Sequence, residues 1–237
     1  MTLASRARNI GSPIRAAAAL AFALACGQPA LADEGRRCDG TALTVYGSDR
    51  AEVQGACAGV VDAVAFLASL GLDTSTPGEI RLVEALPAIQ GGAAAYGCHV
   101  KSESRIYVLN LAECRKLPLA PDLLVDAVVH RGLVAHEVSH HVAAANFRVP
   151  RPTVVAHEYI AYVTMMATMD REARERILAQ FPGTGFESAR EIGLTIYLLD
   201  PTRFGAHAYR HFMRPENGAA FIGQVLSGRA LATEHPP

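Results

Sequence analysis

The 237-residue chain contains no tryptophan, and aromatic residues make up only 6% of it, so its core must rest on aliphatic side chains and alanine. It also lacks any cluster of lysine or arginine, and its formal net charge is −1. That balance argues against nucleic acid as a partner, because phosphate binding needs concentrated positive charge. No repeat or low-complexity linker divides the chain, and about two hundred residues suffice for one well-buried domain. No apolar run reaches the roughly 20 residues that span a bilayer, so no transmembrane segment is expected in the mature chain.

The longest apolar run, Ala16 to Ala25, follows Arg6, Arg8 and Arg15 and precedes Ala30-Leu31-Ala32. Basic, apolar and small residues in that order form a secretory signal, which sets residues 1–32 apart as a signal peptide and starts the mature protein at Asp33. The protein is therefore expected to be exported, periplasmic or secreted. A lipid-modified Cys26 is the alternative, with Leu24 one place off the usual lipoprotein pattern.

Four cysteines follow the signal, Cys38, Cys57, Cys98 and Cys114, and none stands in a C-x-x-C. An even number in an exported chain points to disulfides rather than to a cysteine-ligated zinc. Of the three possible pairings we favour Cys38 with Cys57, pinning the amino-terminal segment to a helix, and Cys98 with Cys114, tying the ends of a strand pair.

Apolar residues at helical spacing from Ala51 to Leu70 predict a first helix, stopped by Gly71. Three short apolar or alternating segments follow, Ile80 to Leu86, Ala93 to Lys101 and Arg105 to Leu111, and read as strands. Pro121-Asp122 can open a long helix ended by Asn146, Pro150 and Pro152, and Thr153 can cap the next one, which runs to about Met169. Helical stretches are predicted near Arg171 to Gln180, Glu187 to Leu199, Arg203 to Phe212 and Ala219 to Leu226. The expected fold is α+β in a single domain over 33–237: a helix and small sheet in 33–119, then a mainly helical part in 120–237.

The chemistry concentrates in His136-Glu137-Val138-Ser139-His140. Helix positions four apart lie one above the other, so His136 and His140 can present two imidazoles to one zinc ion. Glu137 lies about 100° round the helix, beside such a metal, where it can take a proton from water as general base. The bare motif occurs by accident across a proteome, so context matters. The context here is a strong helical pattern, a signal sequence and a candidate third ligand. That ligand is Glu158: with helices ending near Ala145 and beginning near Val154, His140 and Glu158 each lie roughly 7.5 Å from the connecting loop. Two histidines and a glutamate leave one tetrahedral position open, as in catalytic zinc sites.

These residues resemble the zincin metallopeptidases, specifically the gluzincins, in which an H-E-x-x-H helix is followed by a glutamate ligand on the next helix. The resemblance covers 104–169, and Glu158-Tyr159-Ile160-Ala161 is similar to the aminopeptidase segment in which the ligand glutamate precedes an alanine by three. It implies a zincin-like fold, Zn2+ on His136, His140 and Glu158, Glu137 as base, and a peptide or protein substrate. Thermolysin-like enzymes carry an aspartate four residues after the ligand glutamate, and here that position is Tyr162. The glycine-rich exopeptidase motif is also absent. The strand from Arg105 to Leu111 stands where zincins have an edge strand that pairs with substrate main chain.

The remaining histidines divide. His141 and His157 adjoin the motif residues, either as hydrogen-bond donors behind the ligands or as plain surface residues. His207 and His211, also four apart, are expected on a solvated helix face, with one of them reaching the zinc cleft as the alternative. Met165, Met166 and Met169 read as core, and Asp170 to Arg176 as a solvated charged face. The competing function is a catalytically inactive, exported zincin-like protein that binds a partner or sequesters metal. A di-iron site would need a second E-x-x-H pair, and Glu158 has Ala161 three places on.

Overall fold

A computed structural model describes residues 35–87, 95–120 and 123–232. The signal segment, Cys26 and the Pro121-Asp122 helix start lie outside these residues. The chain is α+β, with a small mixed sheet and helices packed against one of its faces. Five strands, β1 (Arg36–Arg37), β2 (Leu43–Tyr46), β3 (Gly78–Val83), β4 (Gly97–Val100) and β5 (Arg105–Leu109), lie in the order β1-β2-β3-β5-β4. The three central strands, β2, β3 and β5, run parallel, while β1 and β4 are antiparallel at the two edges.

Alternation explains the layering. Leu43, Val45, Ile80, Ile106 and Val108 are buried on one face of the strands and join the core. The other face carries ion pairs of Glu79 with Arg81 and Arg105, at 3.1 and 3.3 Å. That polar ladder keeps the second face in water, so the helices collect on the first.

Helix α1 (Arg50–Ser69) begins where the Asp49 carboxylate accepts the Glu52 N–H. The disulfide Cys38–Cys57 joins its middle to the segment between β1 and β2, as the sequence led us to expect. Closing a loop with a sequence separation of 19 stabilises by about 3 kcal/mol through the unfolded chain. A short helix α2 (Leu111–Cys114) follows β5, and it was not foreseen.

The long helix α3 (Ala127–Asn146) starts later than the sequence suggested, because Asp126 accepts the Val129 N–H at 2.8 Å and so fixes the first turn. Thirteen of its 20 residues are buried, on every side, which marks α3 as the central helix. It packs on α1, on β4 and β5, and on α4 (Val154–Thr168), which Thr153 caps as predicted. Beyond α4 come α5 (Arg171–Gln180), α6 (Leu194–Leu199), α7 (Pro201–Phe212) and α8 (Gly218–Leu226). The expected helix from Glu187 shrinks to α6, since 187–193 form bends and turns. Met165, Met166 and Met169 are buried core residues, as expected.

Two expectations fail. Cys98 and Cys114 do not pair: Cys98 sits on β4 facing the cleft described below, while the fully buried Cys114 turns its thiol to the Leu109 carbonyl at 3.3 Å. The strand from Arg105 is not an edge either. It is hydrogen-bonded to β3 on one side and β4 on the other, so among the described residues β4 is the edge on that side.

Candidate metal centre

Helices α3 and α4, joined by residues 147–153, bring together the three side chains singled out above. The Nε2 atoms of His136 and His140 lie 3.2 Å apart. Each oxygen of Glu158 faces one of them, Oε2 at 3.5 Å from His136 Nε2 and Oε1 at 3.6 Å from His140 Nε2. A tetrahedral ion with bonds of about 2.0–2.1 Å separates its ligand atoms by roughly 3.3 Å, so this triangle has the size of a metal-ligand face. Ligand atoms of Glu137 also lie within 4.8 Å of the two histidines. The cluster can therefore hold a metal ion, with Glu158 the nearer carboxylate and Glu137 beside it.

Burial divides the two acids. Burial lifts the Glu137 carboxyl to about 7, opposed by His136 and reinforced by the negative charge of Glu158. Glu158 is buried too, yet the two histidines and the Tyr197 hydroxyl hold it down to about 2. Desolvation pushes His140 to about 3, keeping it neutral, whereas contact with Glu158 outweighs burial for His136 and moves it upward. One carboxylate is fixed as an anion facing the histidines, and the other is held near the point of taking a proton.

The surroundings add residues that spacing did not reveal. Tyr197, on α6, lines the same cleft, where its hydroxyl acts on the Glu158 carboxylate and lowers its proton affinity. Tyr162 lies edge-on to His136, with ring centroids 4.6 Å apart. His136 Nδ1 is buried without a hydrogen-bond partner. Helix α7 comes close enough for Gly205 to press on Tyr162, since a Cβ there would meet the ring at 2.2 Å.

The strand β4 lies along α3 in register. A Cβ on Gly97 would stand 2.6 Å from Glu137 Cγ, so only glycine lets the strand approach the acid this closely. Two residues on, His99 meets His141 with Nε2 3.2 Å from Nδ1. Strand residues two apart and helix residues four apart advance by similar distances, roughly 6–7 Å, which is why both contacts form together.

The cleft has a volume of about 1060 Å³ and contains His136, Glu137, His140 and Glu158. Its walls are mostly apolar, with Tyr96, Leu117, Leu133, Phe147, Val149 and Pro150 among the lining residues. Cys98, His99, His157 and Tyr197 also face it. His157 packs its ring between His140 and Phe147, with centroids at 5.8 and 4.6 Å.

Neither His207 nor His211 lines the cleft. His211 is buried rather than solvated, with Nδ1 2.7 Å from the Tyr159 hydroxyl, and His207 packs against Phe186. The expectation of a solvated pair, and that of a histidine reaching the metal site, are both overturned for His211 by this bond. A partner of Glu158 could have been sought among the tyrosines, but nothing in the spacing of Tyr197 marks it out.

Residues 43–235 match the model of a family described as a family of unknown function, DUF6639, and the chain belongs to that family. No curated protein and no solved structure matches it.

Proposed function

We propose that this DUF6639 member is an exported zinc-dependent metallopeptidase of gluzincin type, hydrolysing peptide bonds with water. The observation that carries the proposal is the triangle of His136, His140 and Glu158, with 3.2, 3.5 and 3.6 Å between donor atoms, beside a buried second carboxylate in a large cleft. Two imidazoles and one carboxylate suit zinc and leave a coordination position open. Bound there, zinc supplies Lewis acidity that polarises a carbonyl and acidifies water.

The chain's own residues would do the rest. Glu158, held anionic, offsets part of the metal's charge, and Tyr197 orients it through its hydroxyl. Glu137 takes the proton from the attacking water on a carboxylate oxygen and returns it to the leaving amine. The free edge of β4 offers unpaired main-chain groups to an extended peptide along the cleft, a role the sequence had suggested for β5. The disulfide Cys38–Cys57 supports an oxidising compartment, in keeping with the signal-like first 32 residues. A small sheet packed on the H-E-x-x-H helix, followed by a helix bearing the third ligand, supports a zincin-like fold.

The orphaned Nδ1 of His136 favours one competing reading, a site that keeps a metal for binding or sequestration without turnover. The test is elemental analysis of the mature protein together with a peptide-library screen, on the wild type and Glu137→Gln. One zinc per chain in both, with cleavage by the wild type alone, supports the peptidase. Zinc in both with no cleavage by either would sink it and leave the binding protein.

A further inference from the structure

Outside the metal triangle, the best-ordered set of chemical groups is a chain running from the main chain into the cleft: the Thr76 carbonyl, His141 and His99. His141 Nε2 lies 3.4 Å from the Thr76 oxygen, and the carbonyls of Thr76 and Pro77 both act on its ring. This nitrogen is wedged where a Cβ on Gly78 would stand 2.9 Å away. His141 is 4% exposed, and its Nδ1 lies 3.2 Å from His99 Nε2 with the rings nearly perpendicular.

The chain has a direction. A carbonyl oxygen can only accept, so His141 must carry its proton on Nε2. A neutral His141 then has a bare Nδ1, which must accept, and His99 must donate from Nε2. A neutral His99 therefore has a bare Nδ1. Among the described residues His99 Nδ1 has no hydrogen-bond partner, and the one buried side-chain nitrogen or oxygen left unpartnered is His136 Nδ1. The free nitrogen of His99 is thus open, on a residue that lines the same cleft as the metal triangle.

We propose that His99 contacts substrate, accepting a hydrogen bond through Nδ1 from a main-chain N–H of the bound peptide, and that His141 is the positioning residue that fixes the accepting tautomer. The inference rests on the peptidase reading and adds to it a requirement: an amide N–H on the substrate opposite β4. An acceptor preset in this way selects against a substrate that lacks the N–H, because the desolvated nitrogen is then left unpaired.

Two measurements test it without turnover. In zinc-loaded protein with 15N-labelled histidine, NMR should find His99 protonated on Nε2 and bare on Nδ1. His141→Asn, which keeps an acceptor, should preserve that tautomer, while His141→Leu should release it to a mixture. The opposite tautomer in the wild type would overturn the proposal, as would an unchanged tautomer in a folded His141→Leu.

The second measurement is the affinity of a hydroxamate-capped leucyl-alanine amide and of its forms methylated at each amide nitrogen in turn. One methylation should weaken binding to the wild type about tenfold, and the same methylation should cost less than twofold in His99→Phe. Equal losses in both proteins would sink the role of His99 and leave the peptidase standing. No binding of any probe to zinc-loaded protein would sink both.

Discussion

The molecule carries two histidine pairs four residues apart on helices, His136 with His140 on α3 and His207 with His211 on α7, and the first faces a carboxylate where the second meets a phenol. Helix α4 lies against both helices and decides between them. It offers Glu158 to α3, where two oxygens meet two imidazoles, and its next residue, Tyr159, to α7, where a hydroxyl takes up the Nδ1 of His211. Successive residues point about 100° apart, so one helix gives an acid to one pair and a phenol to the other. Spacing within a helix sets two imidazoles side by side; the side chain presented by the neighbouring helix determines whether they face a carboxylate.

The sharpest way to break that contrast is to remove ligands. His136→Ala, His140→Ala and Glu158→Ala should each lose nearly all bound zinc by elemental analysis, whereas His207→Ala should keep one zinc per chain. Stoichiometric zinc in folded Glu158→Ala would show that the acid does not distinguish the pairs.

Next in size is the acid beside the metal. Glu137→Gln should retain zinc and lose peptide cleavage by about 10²–10⁴-fold, the usual worth of a positioned general base, as measured by kcat/KM. Gly97→Ala should act in the same direction more mildly, by about tenfold, because the added methyl must displace Glu137 or β4. Retained zinc in that variant would separate displacement of the base from loss of the metal.

On the other helix, His211→Phe should leave zinc content unchanged and lower unfolding free energy by about 1–3 kcal/mol, since the buried Tyr159 hydroxyl loses its partner. Urea denaturation measures it, and a neutral outcome would mean that the phenol finds another acceptor.

The smallest effect is the response of the metal-free protein to acid. His99, His141, His157, His207 and His211 all bind protons less readily folded than unfolded, chiefly because burial penalises the cation. As pH falls below 6.5 the unfolded chain takes up protons while these folded rings stay neutral, down to about 4 for His99. Stability present above pH 6.5 is therefore lost on acidification; Glu137 and His136, which bind protons more readily folded, oppose the loss but are outnumbered, so the urea midpoint should drop between pH 7 and 5. A midpoint that rose over this range would contradict the burial of these rings.

Much of this was legible in the sequence, and the pattern of success has a physical cause. The three donors that come together, His136, His140 and Glu158, lie on two consecutive helices, and helical period plus a short connection brings them level. The Cys38–Cys57 bridge was likewise within reach, since it closes a short loop onto a helix. What spacing could not give was lateral order. Strand periodicity announces β4 and β5 but not which of them forms the edge, and so the substrate strand was first assigned to β5. The same ignorance joined Cys98 to Cys114, which the sheet directs to different surroundings. Tyr197 and His99 reach the cleft from distant segments, and no local period encodes such an approach.

The donors His136, His140 and Glu158 come from a single helical hairpin between 127 and 168, whereas Gly97 and His99 belong to a sheet whose β2–β3 and β3–β5 pairings close long loops. Local contacts form faster than strands that pair across long loops, and a bound ion stabilises whichever segment holds its ligands. During folding the hairpin can bring its three donors together before the sheet is complete, and the docking of β4 would then set Gly97 and His99 beside a cluster already formed.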